Sequence, residues 1–304
     1  RIYKDSLNRI SIAILNNEYE SSNFLVEEFK EVEQYLLSLT TSVRKKLTGA
    51  ILVALSPKIR DNPSQFSRDA YNKYKKMLYL EQQVYNKSIA DNSMSEKDEK
   101  NWVEWSEILK VPVKLKKKIA GLGITSSTPK VPNLANMIDL QDYLISCLYT
   151  MLPPRRLLYA DATIIPFKKY KELSEHNIEN KVFLVIKSKK KFFHFGRYAA
   201  KSATPQNIII NVPMKLNTVL NMWLSNNETD EWLLLNQDFE KLTTNALGKQ
   251  LSRIFSTQNK HIGIGLIRKI FLSEQFKGDK SKKKDLAQSM NHSVSVQQAV
   301  YVKD

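Results

Sequence analysis

Three short runs of β-branched and aromatic residues lie between residues 182 and 213, in a 304-residue chain otherwise patterned for helices. The runs read VFLVIK, KKFFHFGRY and NIIINVP, and charged or polar segments separate them. β-Branched and aromatic side chains favour strands, and short polar connections favour hairpins. The sequence therefore predicts a three-stranded antiparallel sheet within a mainly helical chain, which is an α+β fold.

The remaining sequence predicts two units joined by a linker. Apolar residues recur at helical spacing through residues 1–115, which predicts a bundle of short helices. Pro57 is expected to end one of these helices, and the spacing of Ser93 and Glu96 predicts a capping box before another. Residues 116–133 combine prolines, glycines and lysines, so they are predicted to be a basic linker. Residues 134–304 form the second predicted unit.

The charge balance points to a polyanionic partner. The chain has 47 Lys and Arg residues against 31 Asp and Glu residues, a net charge of +16, and 42% hydrophobic residues. It can therefore bury a core, and its excess charge is not that of a disordered tail. Nucleic acid is the expected partner, although a lysine-rich genome would also give this composition.

Cysteine usage and hydropathy predict the compartment. Cys147 is the single cysteine, which excludes a disulfide within one chain and fits a reducing compartment. The sequence shows no signal peptide and no run of 18 apolar residues. An intracellular protein with no membrane partner is therefore expected.

Three polar residues near the end of the sequence suit phosphodiester chemistry. They are Arg268 in GLIRKIF, His292 in LAQSMNHS, and Tyr301 nine residues further on. Arginine can bind a phosphate bidentately, and histidine can donate a hydrogen bond or move a proton. Tyrosine can act as a covalent nucleophile.

The order of these residues resembles a known family. The segments LQDYLISCLYTMLPPRRLLY, GLIRKIF and LAQSMNHSVSVQQAVY are similar to the motifs of tyrosine recombinases, the phage-integrase family. The PPRR form is most similar to integrases of virophages and related large-DNA-virus elements. The resemblance covers about residues 130–304, and it implies an N-terminal helical DNA-binding unit followed by a catalytic domain.

The resemblance also implies roles for individual residues. The first catalytic arginine would be Arg155 or Arg156, with Arg155 preferred, and the second would be Arg268. His292 would contact the scissile phosphate or assist proton transfer. Tyr301 would form a 3′-phosphotyrosyl link, and Lys201 would protonate the leaving 5′ oxygen.

Two positions depart from the family pattern. Leu158 stands where an acidic residue is common in the family, so the first arginine lacks the support that this acid would give it. Gly265 stands at the histidine position of the HxxR motif, and His261, one helical turn earlier, is not expected to replace it.

Several basic residues are predicted to contact the DNA backbone. Double-stranded DNA is the expected partner. The protein is expected to be a monomer in free solution and to assemble on DNA as two or four copies, with a tetramer as the complete assembly. No cofactor or metal is predicted, because no Cys/His cluster has metal-ligand spacing and the arginines take the charge-neutralising role. The predicted DNA contacts are Lys114, Lys116, Lys117, Lys118, Lys249, Arg253, Lys282 and Lys283.

Three alternatives remain open. A type IB topoisomerase has a similar Arg, Lys, Arg, His and Tyr set and would relax supercoils as a monomer. A telomere resolvase would use similar chemistry to make hairpins. The chain could also be a DNA-binding protein on the same scaffold with weakened catalysis, as Leu158 and Gly265 permit.

Overall fold

The computed structural model describes residues 2–61, 64–90, 94–125, 133–197 and 207–276. The chain divides into two compact units, Arg1–Asp91 and Asn92–Asp304. Most described residues are helical, and the strands among them form one four-stranded sheet. The predicted α+β class is confirmed, and no helix within these ranges is long and apolar enough to cross a membrane.

The first unit is helical throughout its described elements. Its core is made of aliphatic and aromatic side chains, and the buried Tyr74 hydroxyl donates a hydrogen bond of 2.8 Å to the Leu25 carbonyl. This bond satisfies a phenol that burial would otherwise leave unpaired. The helices are α1 (Ile2–Leu15), α2 (Phe24–Glu27), α3 (Phe29–Ser38), α4 (Thr41–Asp61) and α5 (Gln65–Ala90).

The prediction that Pro57 ends a helix is wrong, because α4 continues through it to Asp61. A proline inside a helix removes one hydrogen bond to the carbonyl four residues earlier. Here that carbonyl belongs to Val53, and both Val53 and Pro57 are exposed, so water can replace the missing donor.

The second unit is built around one buried helix. This helix, α8 (Leu134–Met151), is buried at every residue from Leu140 to Tyr149, so it contacts neighbours on all sides. The other helices of the unit are α6 (Glu96–Asn101), α7 (Trp105–Gly121), the 3₁₀ helix η1 (Leu157–Asp161), α9 (Phe167–Lys171), α10 (Glu175–Glu179), α11 (Met214–Asn226), α12 (Thr244–Phe255) and α13 (Ile264–Phe276).

The predicted division at residue 115 differs from the structure, where the units divide between Asp91 and Asn92. The first part of the predicted linker, 116–121, completes α7, and residues 126–132 lie outside the described ranges. Trp105, Ile108 and Ile119 of α7 belong to the same core as α8. The lysines that suggested a linker occupy the exposed side of an amphipathic helix, which a composition argument cannot distinguish from a solvated connector.

The N-cap of α6 also differs from the sequence prediction. Ser95, and not Ser93, caps the helix, and its hydroxyl accepts a hydrogen bond of 3.2 Å from the Asp98 amide. Two serines close together offered the same local signal, and the helix starts at the one nearer to its acidic first turn.

The sheet has the order β1-β2-β3-β4. Its strands are β1 (Ala162–Pro166), β2 (Val182–Lys187), β3 (Lys190–Phe195) and β4 (Ile208–Asn211), and β2, β3 and β4 form the predicted antiparallel meander. The purely antiparallel prediction is nevertheless wrong, because β1 pairs with β2 in parallel, with Ala162 beside Val182 and Pro166 beside Ile186. Parallel strands need a crossover, which α9 and α10 provide.

The two faces of β3 have different neighbours, because successive strand residues point to opposite sides. Phe193 and Phe195 pack edge-on against Tyr159 in the main core. Phe192 and His194 face α9, where the Tyr170 hydroxyl lies 2.9 Å from His194 Nδ1. The first face carries the candidate site described below.

Candidate active site

Arg155 is the most buried charged residue of the PPRR segment. Helix α8 ends at Met151, and the two prolines that follow cannot continue it. The Tyr149 hydroxyl donates a hydrogen bond of 2.9 Å to the Arg156 carbonyl, which fixes the turn. As a result Arg155 is 0% exposed, whereas the Arg156 side chain is exposed at the start of η1.

The Arg155 guanidinium lies over the ring of Phe195. Its central carbon is 3.8 Å from the centroid of the Phe195 ring. Within the described part of the chain, its three guanidinium nitrogens are buried and have no hydrogen-bond partner. Cation–π attraction offsets only part of the free energy needed to desolvate a charge, so this arginine is poised for an anion.

Arg268 lies on the second turn of α13 and is also buried, at 1% exposure. Burial lowers the pKa of Arg155 to about 10, with Tyr159 opposing this shift and the positive charge of Arg268 adding to it. Arg155 therefore remains protonated at neutral pH. The fold has brought two guanidinium groups that are distant in sequence into electrostatic range of each other.

Two buried tyrosines complete the surroundings of the arginine pair. Tyr149 and Tyr159 pack edge-on, 5.4 Å apart, and burial raises the pKa of both phenols. Arg155 opposes the shift of Tyr159, and Arg268 opposes that of Tyr149. Among the described residues the Tyr159 hydroxyl has no hydrogen-bond partner, so it can donate to an anion held by the arginines.

Sequence reasoning did not assign Tyr149, Tyr159 or Phe195 to the site. Each is an aromatic residue in an apolar run, which usually indicates core. The signal that could have revealed Tyr159 is its position four residues after Arg155. The half-buried Leu158 supplies no charge, and the neighbours of Arg155 include the Phe195 ring and the neutral Tyr159 phenol.

The histidine position of the HxxR motif is an open one. Gly265 is the second residue of α13, it is exposed, and a Cβ added to it would meet no atom within 4 Å. It lies three residues before Arg268, on the same side of the helix. His261 is exposed, and its backbone amide donates a hydrogen bond of 2.6 Å to Asn101 Oδ1.

The predicted DNA contacts of α7 and α12 all have exposed side chains. Lys114, Lys116, Lys117 and Lys118 follow one another along α7, and the Lys118 ammonium pairs with Asp139 at 2.7 Å. On α12, Lys249 and Arg253 lie one turn apart. Arg253 pairs with the buried Asp142 carboxylate at 2.7 Å, so part of its charge is already neutralised within the protein.

The structure does not test every predicted site residue. Lys201, His292, Tyr301, Lys282 and Lys283 lie outside the described ranges. The described part of the predicted site is therefore the arginine pair with its aromatic neighbours. In comparisons with known proteins, no protein-family model, curated protein or solved structure matches the chain.

The chemistry open to the arginine pair follows from its geometry. A guanidinium group presents rigid donors that match two oxygens of a phosphate or carboxylate. The positive charge of Arg268 disfavours that of Arg155, and a bound anion would relieve both this repulsion and the desolvation of Arg155. The site is therefore suited to a dianionic or polyanionic group such as a phosphate.

Proposed function

We propose that this protein is a site-specific DNA recombinase or integrase that cuts and rejoins DNA through a 3′-phosphotyrosyl intermediate. The observation that carries the proposal is the burial of two arginines, Arg155 and Arg268, near enough for the charge of Arg268 to lower the pKa of Arg155. The tyrosine-recombinase resemblance requires two arginines from these two segments to bind one phosphate. The net charge of +16 supports DNA as the bearer of that phosphate.

In the proposed reaction, Arg155 and Arg268 bind the non-bridging oxygens of the scissile phosphate, and the Tyr159 hydroxyl supplies a third donor. The Tyr301 oxygen attacks phosphorus while the bond from phosphorus to the 5′ oxygen breaks. Lys201 gives a proton to the leaving oxygen, and His292 binds the phosphate or assists proton transfer. The phosphotyrosyl link conserves the energy of the broken phosphodiester bond, so rejoining of the DNA strand needs no ATP.

The proposal extends to architecture and assembly. The helical first unit and the α+β second unit would each bind DNA. In the second unit, Lys249 and the four predicted contacts of α7 would contact the DNA backbone; those four are Lys114, Lys116, Lys117 and Lys118. We expect a monomer in free solution, because the net charge opposes self-association, and two or four copies on DNA. The protein would act inside a cell, in a host nucleus or viral factory where its target DNA lies.

A covalent-trapping experiment tests the proposal. The full chain is incubated with a pool of nicked duplexes, randomised around the nick, so that cleavage releases a short strand and prevents rejoining. We expect an adduct that survives denaturation. Tyr301→Phe should remove the adduct and retain DNA binding, because it deletes only the nucleophilic oxygen, and an adduct formed by Tyr301→Phe would contradict the assigned nucleophile.

The same preparation separates the alternatives. Relaxation of supercoiled plasmid without paired sites would indicate a type IB topoisomerase, and hairpin products would indicate a telomere resolvase. DNA binding without any adduct would indicate a binding protein. Each of these results would replace the recombinase proposal.

A further inference from the structure

Six exposed lysines meet at one end of the sheet, far from the arginine pair. The parallel pairing of β1 with β2 puts Pro166 beside Ile186, so α9 begins where β2 ends. No ion pair with a carboxylate involves any of the six in the part of the chain that the structure describes. This distal lysine surface consists of Lys168, Lys169 and Lys171 on α9 and Lys187, Lys189 and Lys190 at the β2–β3 turn.

Two of these cations contact the same aromatic ring. The ammonium nitrogens of Lys187 and Lys171 lie 4.7 Å and 5.1 Å from the centroid of Phe167. Phe167 is half-buried, and it packs against Tyr170 and Phe192. Cation–π attraction thus offsets the repulsion between like charges, and the surface presents ammonium groups in place of an apolar anchor.

The turn that carries the other lysines is held in place. Lys191 is buried, its ammonium donates hydrogen bonds to Asn217 Oδ1 at 2.8 Å and to Asn221, and burial lowers its pKa. The Asn217 side-chain amide donates in turn to the Lys189 carbonyl at 3.1 Å. Helix α11 therefore fixes the hairpin, and a ligand would not have to order it on binding.

The distal lysine surface and the arginine pair cannot hold the same phosphate. Lys190 begins β3 and Phe195, the partner of Arg155, ends it, a separation of about 17 Å at ~3.4 Å per residue. Helix α9 also packs on the Phe192 and His194 face of the sheet, opposite the face that carries Phe195. A ligand of the lysines is therefore a separate segment from one bound at Arg155.

We propose that the distal lysine surface binds the phosphate backbone of a second DNA segment. Duplex DNA presents one charge per ~1.7 Å of axis, which suits closely spaced ammonium groups that need no fixed geometry. Protein interfaces are usually centred on arginines and exposed aromatic side chains. Neither α9 nor the β2–β3 turn contains an arginine, and the aromatic residues of α9, Phe167 and Tyr170, are half-buried. Contacts to the phosphate backbone do not distinguish one DNA sequence from another, so binding at this surface is expected to be independent of sequence. The further idea, that one chain bridges two DNA segments, rests on the proposed function.

A salt titration tests the binding directly. The variant Lys169→Gln/Lys190→Gln removes two of the exposed charges, and Lys110→Gln/Lys241→Gln is the matched control, because Lys110 and Lys241 already pair with Glu107 and Asp161. The protein is first saturated with one duplex, and binding of a second 30-base-pair duplex of random sequence is then measured. The magnitude of the log–log slope of affinity against salt should decrease by about 1.8 for the first variant and stay unchanged for the control. Equal slopes for both variants would overturn the proposal.

A capture experiment tests the second segment. Beads that carry one duplex are saturated with the full chain and then offered a second, fluorescent duplex. Wild-type protein should retain the second duplex, and Lys168→Gln/Lys169→Gln/Lys189→Gln/Lys190→Gln should retain only the first. Equal capture by both would refute the bridging role. A chain that forms no phosphotyrosyl adduct but still shows the slope difference would remove the recombinase function and leave the distal surface intact.

Discussion

The Arg155 guanidinium lies 3.8 Å from the centre of the Phe195 ring, so strand β3 ends against a buried cation. The strand thereby connects the first arginine to the sheet, while α13 brings in the second. Among the described residues no carboxylate pairs with this cation, so its burial is expected to lower stability, as is common at functional sites. Removing the charge of Arg155 is therefore expected to lower activity without lowering stability.

Arg155→Met should keep or raise the free energy of unfolding while removing covalent trapping of DNA. Methionine fills a similar volume without a buried charge, and replacing buried ionic groups by apolar ones is neutral or stabilising by up to about 4 kcal/mol. Loss of one oriented cation should slow cleavage by roughly 10²–10³-fold. Urea unfolding and adduct formation measure the two effects. A marked loss of stability would show that Arg155 is structural, and Arg156→Met is the control expected to change neither.

Gly196→Ala should destabilise the second unit by at least about 1–3 kcal/mol. A Cβ there would stand 2.3 Å from the Glu179 carbonyl oxygen and 2.6 Å from that of Ile178, and backbone atoms cannot give way cheaply. Gly248→Ala is the control, because its Cβ would contact only Leu157 Cδ1 at 3.4 Å, and alanine favours the helix by up to ~1 kcal/mol. Thermal unfolding of both variants measures the difference in stability. Equal melting temperatures would contradict the close approach of Gly196 to the backbone of Ile178 and Glu179.

His194 should make the second unit acid-labile. Burial lowers the pKa of His194, with a backbone contact from Ile178 opposing the shift. The unfolded chain therefore binds a proton near pH 6.5 that the folded chain resists, so the free energy of unfolding falls as pH decreases below about 6.5. His194→Gln should reduce this slope in urea unfolding measured from pH 7.5 to 5. The exposed His176 is the control, and a slope unchanged by His194→Gln would refute the assignment.

Gly265→His should accelerate adduct formation without loss of stability. The position is open and exposed, and it lies one turn before Arg268 on α13. A histidine there could donate to the phosphate or move a proton, and such groups typically contribute ~10²–10⁴-fold. An increase of at least about tenfold in the single-turnover rate is expected. Gly265→Ala separates this effect from helix stabilisation, and equal rates for the two variants would show that the position does not face the reacting phosphate.

Much of the fold was available from local pattern. The strands β2, β3 and β4 were predicted because β-branched and aromatic residues cluster over short windows with polar connections. The helices of the first unit followed from their 3.6-residue period. Strand β1 was missed because ATIIP is short, ends in proline, and owes its place to β2, a partner that lies a crossover away.

The sequence by itself determined three features of this protein: two segments that carry arginines, a basic net charge, and a pattern of helices and strands typical of an α+β fold. Only the tertiary structure decided which arginine is buried. Arg155 and Arg156 are adjacent and chemically identical, and they differ in whether the folded chain directs the side chain into the core or to the surface. Likewise only the parallel pairing of β1 and β2 joined the lysines of α9 to those of the β2–β3 turn. The physical reason is common to both: burial and proximity depend on contacts between residues distant in sequence, and local propensity carries no information about them.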